Sequence, residues 1–279
     1  MLAALASFLD ARSHRGRWLL RIDDLDQARI ALGSAQLIEQ QLVSLGLQWD
    51  GPIQYQSRHQ GEYQAALATL RQQGLLFACR CSRRLLRKAA AGSDLGVCAG
   101  RCRQQLTSDP PIAWRCELAA LQVDYFVDRF QGEVRNTDLV SDVTVQRRDG
   151  VFAYQLAVLV DDSLAGITEV VRGADLLTST FGQLALAKGL KLTAPRYAHA
   201  PLLTAANGAK LSKSAASAQV LATRAPSAEL VEVLTLLRQQ PPKDLERLQV
   251  RDIIDWAVRH WQPAAFTGLA AIPAPIAAN

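Results

Sequence analysis

The chain has 279 residues and a mass of 30.4 kDa, with 49% hydrophobic and 20% charged residues, enough for one large domain or two modest ones. That apolar fraction excludes a disordered protein, the absence of any apolar run near ~18 residues excludes a transmembrane helix, and the N-terminus lacks the layout of a secretory signal. Thirty-one Lys+Arg against twenty-six Asp+Glu give a net charge of +5. This permits a nucleic-acid partner without requiring one, and the expectation is a cytoplasmic enzyme or binding protein.

Taken in chain order, the first segment, 1–12, reads as a helix with Leu2, Leu5, Ala6 and Leu9 on one face and no N-cap. Residues 17–22 read as a buried strand that runs into Asp23-Asp24-Leu25-Asp26. A helix carrying Ile38, Leu42 and Leu45 follows. Ser57-Arg58-His59-Gln60 has the spacing of a capping box, which predicts a helix burying Tyr63, Ala66, Leu67 and Leu70 and ending near Gly74. This alternation is the pattern of an α/β layered protein.

After a cysteine-rich segment, strands are predicted at 112–118 and 123–130. A further pair, 143–146 and 151–156, flanks an Asp149-Gly150 turn. Residues 155–160 suit either strand or helix, and 176–190 suits a helix. Asn207-Gly208 marks a turn directly before Lys210-Leu211-Ser212-Lys213-Ser214. Helices are predicted at 229–239 and 250–261, and the Ala/Pro-rich tail from Gln262 is expected to be loosely ordered.

Four of the five cysteines crowd into 79–102. Cys79-Arg80-Cys81 and Cys98-Ala99-Gly100-Arg101-Cys102 form two close pairs joined by a glycine-containing loop. In a reducing compartment this pattern argues for a structural zinc ion held by four thiolates rather than for disulfides. No His lies between Cys79 and Cys102, and four cysteines fill the coordination positions, so nothing suggests an open, catalytic metal. The alternative is four reduced thiols in a packed loop. Cys116 lies apart and reads as a small buried hydrophobe.

Three polar clusters have no ready structural explanation. Arg21-Ile22-Asp23-Asp24-Leu25-Asp26 puts carboxylates at the end of a strand, where open α/β sheets bind ligands, although a solvated capping turn fits as well. Thr168-Glu169-Val170-Val171-Arg172-Gly173-Ala174-Asp175 places an Arg, suited to gripping a carboxylate, between a β-rich run and a helix; a surface Arg–Asp pair is the simpler alternative. Two of only six lysines, Lys210 and Lys213, fall in one loop, where Lys and Ser can neutralise a polyphosphate or form a solvated basic loop.

In this order the segments resemble class I aminoacyl-tRNA synthetases of the glutamyl type. Arg21–Asp26 is similar to that group's R-I-E-D-x-D. Phe152-Ala153-Tyr154-Gln155-Leu156-Ala157-Val158, Asp161-Asp162 and 168–175 resemble its core. His199-Ala200-Pro201-Leu202 and Lys210–Ser214 resemble its last segment, the latter its K-M-S-K-S-type signature. The resemblance runs from about residue 1 to 261. Only 65 residues follow Ser214, too few for an anticodon-binding domain, and with the cysteine cluster this makes the chain similar to the short paralogues, the glutamyl-Q tRNA(Asp) synthetases.

That resemblance implies an α/β Rossmann-like catalytic domain with a zinc-binding insertion and a helical C-terminal region. The implied segments are 1–78 and 136–225 for the catalytic part, 79–135 for the insertion, 226–262 for the helical region and 263–279 for the tail. It implies a ligase that activates L-glutamate with ATP and Mg²⁺ and transfers it to queuosine in the anticodon of tRNA(Asp). By the same resemblance Asp23, Tyr154 and Arg172 bind glutamate, Lys213 binds ATP and is catalytic with Lys210 beside it, and Cys79, Cys81, Cys98 and Cys102 hold zinc.

Two departures stand out. Asp23 occupies the position of the family's Glu, one methylene shorter. The family's opening strand, R-F-A-P-S-P-x-G, and its H-x-G-x signature are not in the chain, which starts just past them. The expectation is that the chain as written is poorly soluble and nearly inactive, and that an extended version is active. The alternative function is a catalytically inactive tRNA-binding paralogue or fragment.

Overall fold

The computed structural model describes residues 1–82, 84–86, 98, 102–103, 112–137, 141–204 and 225–274. The chain opens with α1 (Leu2–Ser13), which has no side-chain cap and buries Leu2, Leu5, Ala6, Phe8 and Leu9. β1 (Arg21–Ile22) pairs in parallel with β2 (Gln54–Tyr55) across α2 (Ser34–Ser44). The strand expected over 17–22 is thus shortened to a two-residue ladder. Its extended backbone still accepts bonds at Trp18 O from Asp50 N (2.7 Å) and at Leu20 O from Gln54 N (3.0 Å).

α3 spans Gln60–Gln72 and buries Tyr63, Leu67 and Leu70. The capping box expected at its start does not form. The Ser57 hydroxyl and backbone N–H instead donate to the Asp24 carboxylate at 2.6 and 2.7 Å, and a single 3₁₀ turn, Gln56–Arg58, precedes the helix. These bonds hold Ser57 within that turn, and the N-cap position falls on His59.

β3 (Leu76–Cys79), β4 (Ala113–Glu117) and β7 (Asp142–Gln146) form an antiparallel sheet with β4 in the middle. This sheet crosses the segment borders expected at 79 and 135. β5 (Tyr125–Asp128) and β6 (Gly132–Arg135) form a separate hairpin. The strand expected at 151–156 reduces to one bridge, Gln146 to Phe152, across the Asp149-Gly150 turn. α4 (Tyr154–Leu164) begins two residues later, because Leu156, Ala157, Leu159 and Val160 are all buried at helical spacing.

β8 (Glu169–Gly173) then pairs in parallel with β9 (Arg196–Ala200) across α5 (Ser179–Leu190). β10 (Leu202–Thr204), α6 (Pro226–Leu236) and α7 (Val250–Arg259) complete this part. The segment after Gln262 is not loose where it is described. Phe266 is fully buried, 5.1 Å from the Phe130 ring, and β11 (Ala271–Pro273) pairs in parallel with β10. Burial of one large aromatic contributes about 2–3 kcal/mol, which outweighs the disordering bias of the Ala/Pro composition.

Among the described residues two large hydrophobic cores result, beside smaller clusters at the cysteines and around Phe126, Phe181 and Tyr197. One gathers α1, α6, α7, Trp18, Phe266 and the Ala198 and Ala200 face of β9. The other gathers α3, α4, α5, β4 and β7, including Cys116, whose thiol burial pushes up to about 12. Among the described residues no helix is long and apolar enough to cross a membrane.

Candidate functional site

The three carboxylates after β1 have separate partners. Asp24 is taken up by Ser57, and Asp26 pairs with Arg147. Asp23 is the most exposed of the three, and its carboxylate accepts from Arg21 Nε at 2.9 Å. Arg21 also reaches Asp162 at 2.6 Å and approaches Asp161 at 3.7 Å. Burial alone would lower the Arg21 guanidinium, but Asp162 and Asp23 hold it above its ordinary value. One cation is therefore shared among three carboxylates, leaving a local excess of negative charge at the C-terminal end of β1, which favours a cationic ligand group.

Asp161 is fully buried and is the hub under this site. It accepts from Gln56 Nε2 (2.8 Å), His59 Nδ1 (2.7 Å) and Tyr63 Oη (2.8 Å), so it ties α4 to α3 and to the turn before it. Burial, followed by the bond to Asp161, drives the Tyr63 phenol far above its usual range. Asp161→Asn should cost about 3 kcal/mol, because truncating one member of a buried charged network leaves donors unpaired. The check is a urea titration, with the midpoint lowered at an unchanged slope.

Tyr154 is the first residue of α4 and is partly exposed. Its phenol is raised, chiefly by burial, and it feels the charges of Arg172, Asp23, Arg21 and Asp162, so these side chains share one electrostatic neighbourhood. Arg172 lies near the C-terminal end of β8. Its Nε donates to His199 Nε2 at 3.0 Å, one terminal nitrogen donates to Thr180 Oγ1 at 2.8 Å, and the guanidinium sits 4.9 Å above the Tyr197 ring centre. Tyr154 thus lies within electrostatic reach of both Asp23 and Arg172. A cavity of about 760 Å³ opens beside Asp23, bounded by Leu20, Ile22, Ile30, Ile38 and Tyr55. Lys210, Lys213 and the Asn207-Gly208 turn lie outside the described residues.

Sequence reasoning did not assign Arg21, Asp161, Asp128 or Thr180 a role, and it noted His199 only as part of a motif. One signal was present: Asp161 and Asp162 interrupt an apolar helical run, and carboxylates buried there need partners.

The Sγ atoms of Cys79, Cys81, Cys98 and Cys102 all lie within 4.8 Å of one another. Cys81 is 3.9 Å from Cys98 and 3.6 Å from Cys102. A tetrahedral ion with metal–sulfur bonds of about 2.3 Å requires sulfur separations of about 3.8 Å, so the donor set fits a metal ion. Cys79 terminates β3, and the Cys98 backbone N–H donates to buried Asp142 at 3.2 Å. Asp142 is held in turn by Arg115 and Arg103, an outer layer that orients the ligand loop. Burial and the neighbouring sulfurs push the Cys81 thiol up to about 11, while hydrogen bonds from its neighbours overcome burial and hold Cys102 low.

Residues 2–262 match the family described as tRNA synthetases class I (E and Q), catalytic domain. The glutamyl-Q tRNA(Asp) synthetase of Pseudomonas fluorescens is 43% identical over 275 residues, which is 98% of this chain and 90% of that protein. The chain belongs to the glutamyl-Q tRNA(Asp) synthetase family of class I synthetases. A further member, from Thiobacillus denitrificans, is 42% identical over 265 residues, covering 94% of this chain and 87% of that protein.

The fold agrees with this membership. A glutamate tRNA ligase from Elizabethkingia meningosepticum, solved in complex with its amino acid, superposes with a TM-score of 0.72 at 21% identity. The match covers 97% of this chain, which spans 63% of the length of that ligase. The α/β fold is that of a class I synthetase catalytic domain, and the synthetase family is one of ligases. In this synthetase fold the four-cysteine cluster projects from the antiparallel sheet β3-β4-β7, while Asp23, Tyr154 and Arg172 sit at the ends of the parallel strands and the start of α4.

Proposed function

We propose that this chain activates L-glutamate with ATP and transfers the glutamyl group to queuosine in the anticodon of tRNA(Asp). The observation that carries the first half is the joint placement of a carboxylate-rich end of β1 and a braced guanidinium on β8 around Tyr154. Glutamate offers an ammonium and two carboxylates, and this pairing of charges matches it. In this reading Asp23 holds the ammonium, and Tyr154 and Arg172 hold the rest of the amino acid, with Arg172 on a carboxylate. The queuosine half rests on the names of the relatives.

The reaction is then a displacement at the α-phosphorus of ATP. A glutamate carboxylate oxygen attacks, the bond to the β-phosphate bridge breaks, and pyrophosphate leaves. A nucleophile on queuosine next attacks the acyl carbon and releases AMP. ATP enters as its Mg²⁺ complex. No covalent bond to the protein is needed, so this chain's residues act by positioning and by opposing charge. Lys213, with Lys210 nearby, is assigned to the phosphates through the family's loop signature. Zinc in the 79–135 insertion is assigned a structural role, since four thiolates fill its coordination sites.

The test has two stages. The first is ATP–pyrophosphate exchange without RNA, which should depend on glutamate and not on aspartate. The second is transfer of labelled glutamate to tRNA(Asp) with and without queuosine, where only the modified RNA should be labelled. Exchange that is absent both from a folded sample of the chain and from a version extended by the family's R-F-A-P-S-P-x-G segment, or equal labelling of both RNAs, would overturn the corresponding half.

A further inference from the structure

We propose that Asp128 and His199 form a buried positioning relay that orients the Arg172 guanidinium and so sets the affinity for the glutamate carboxylate. The proposal rests on the reading that Arg172 binds that carboxylate. It begins with strand register. β8 and β9 are parallel and pair Arg172 with His199 and Val170 with Tyr197. Side chains alternate across a strand, so Arg172, Tyr197 and His199 share one face, while Ala198 and Ala200 turn to the opposite core.

Asp128 reaches this face from the end of β5. Its Oδ1 accepts three backbone N–H groups, from Phe130 (3.0 Å), Gln131 (2.9 Å) and His199 (3.0 Å). Its Oδ2 meets His199 Nδ1 at 2.5 Å. Asp128 and His199 are both essentially inaccessible to solvent. Bonds from the His199 ring and backbone outweigh burial and keep the Asp128 carboxyl low, so it is an ionised acceptor. His199 Nδ1 must then carry the proton. That makes Nε2 an acceptor, faced by Arg172 Nε at 3.0 Å and, more distantly, by the Thr180 hydroxyl at 3.3 Å.

The second brace is Thr180, also fully buried. Its hydroxyl accepts from Arg172 at 2.8 Å and lies 3.2 Å from Leu176 O. With Tyr197 beneath it, the guanidinium is held on three sides. Nη2 also donates to Leu176 O at 3.4 Å, and among the described residues Nη1 makes no hydrogen bond, so the relay leaves that one nitrogen of the fork for a ligand. An arginine held this way loses little freedom when it binds, and a small misorientation is expensive in affinity.

The relay makes an unusual demand on substitutions. In Asp128→Asn the three backbone donors keep the amide oxygen at the Oδ1 position, which turns the NH₂ toward His199 Nδ1. The imidazole must then carry its proton on Nε2, aimed at Arg172 Nε–H. In His199→Asn the amide reaches Asp128 but not Arg172. In His199→Gln the longer side chain places an oxygen near the Nε2 position and keeps the bond to Arg172.

The experiment measures KM and kcat for glutamate and for ATP in exchange assays on the full chain. Asp128→Asn and His199→Asn are expected to raise the glutamate KM by about tenfold or more, with the KM for ATP within about twofold and kcat nearly kept, as loss of uniform binding requires. His199→Gln should recover to within about threefold of the parent. Imidazole ¹⁵N spectra should show Nδ1–H in the parent and Nε2–H in Asp128→Asn. Equal behaviour of His199→Asn and His199→Gln, or an unchanged tautomer together with an unchanged KM in Asp128→Asn, would overturn the relay. If Arg172→Leu itself leaves the glutamate KM unchanged, the binding role of Arg172 fails and the relay's function goes with it. A raised KM in Arg172→Leu beside normal His199→Asn would overturn the relay alone.

Discussion

Replacing Arg172 by leucine is expected to lower kcat/KM for glutamate-dependent ATP–pyrophosphate exchange by about 10²- to 10³-fold. Truncating one partner of a desolvated, hydrogen-bonded charge pair costs about 2–5 kcal/mol, and each 1.4 kcal/mol is a factor of ten. The middle of that range gives the figure. Most of the loss should appear in the glutamate KM if the contact is made equally in the ground and transition states. Lysine at the same position should recover only part of it. An ammonium keeps the charge but cannot bond His199 and Thr180 and still present an edge to a carboxylate. The fold should survive either change, because His199 keeps its bond to Asp128 and Thr180 keeps the Leu176 carbonyl. A thermal melt run beside the kinetics checks this, and an intact fold with unchanged kcat/KM would remove Arg172 from the site.

The second large effect is expected from the cysteine cluster. Chelation, or Cys98→Ser, should abolish stoichiometric metal at the four-cysteine cluster. Structural zinc sites carry apparent binding free energies of about 10–16 kcal/mol at neutral pH, which becomes folding energy where the site exists only in the folded chain. A thiol reagent provides the readout. In the loaded protein the four clustered sulfurs should be protected, and after chelation four thiols should react while Cys116 stays silent. Its complete burial and raised thiol make it a poor nucleophile until the chain unfolds. Metal content measured before and after gives the stoichiometry, and four freely reacting thiols in the untreated, folded protein would rule out the metal.

Much of this molecule was legible where the signal is local. The two cysteine pairs announce a tetrahedral donor set because each pair comes from one short turn, and the Sγ atoms do cluster. Helices with a distinct apolar face, such as α3 and α7, fall near their expected places, as does the more uniformly apolar α1. Two of the misreadings share one cause, which is a distant partner. Ser57 reads as a helix cap, but its bonds to Asp24, 33 residues earlier in the chain, hold it in the turn ahead of the helix. Residues 151–156 read as a strand because the turn before them is a good one. Only Phe152 finds a partner, and the buried periodicity of α4 claims the rest. The tail reads as loose until Phe266 meets Phe130 and Trp261.

The division for the site follows the same line. By itself the sequence determined the chemistry available: a carboxylate cluster after one strand, an arginine at the end of another, a tyrosine opening a helix, and four thiols in two pairs. Residue type and local spacing carry that information. Only the tertiary structure decided which groups are spent on one another and which remain for a ligand. Asp24 and Asp26 are consumed by Ser57 and Arg147, while Asp23 stays exposed. Arg172 acquires its orientation from His199, 27 residues away, because the parallel β8–β9 register sets them side by side and alternation turns both to one face. Register is a property of two strands packed on a shared core, so no single stretch of chain contains it.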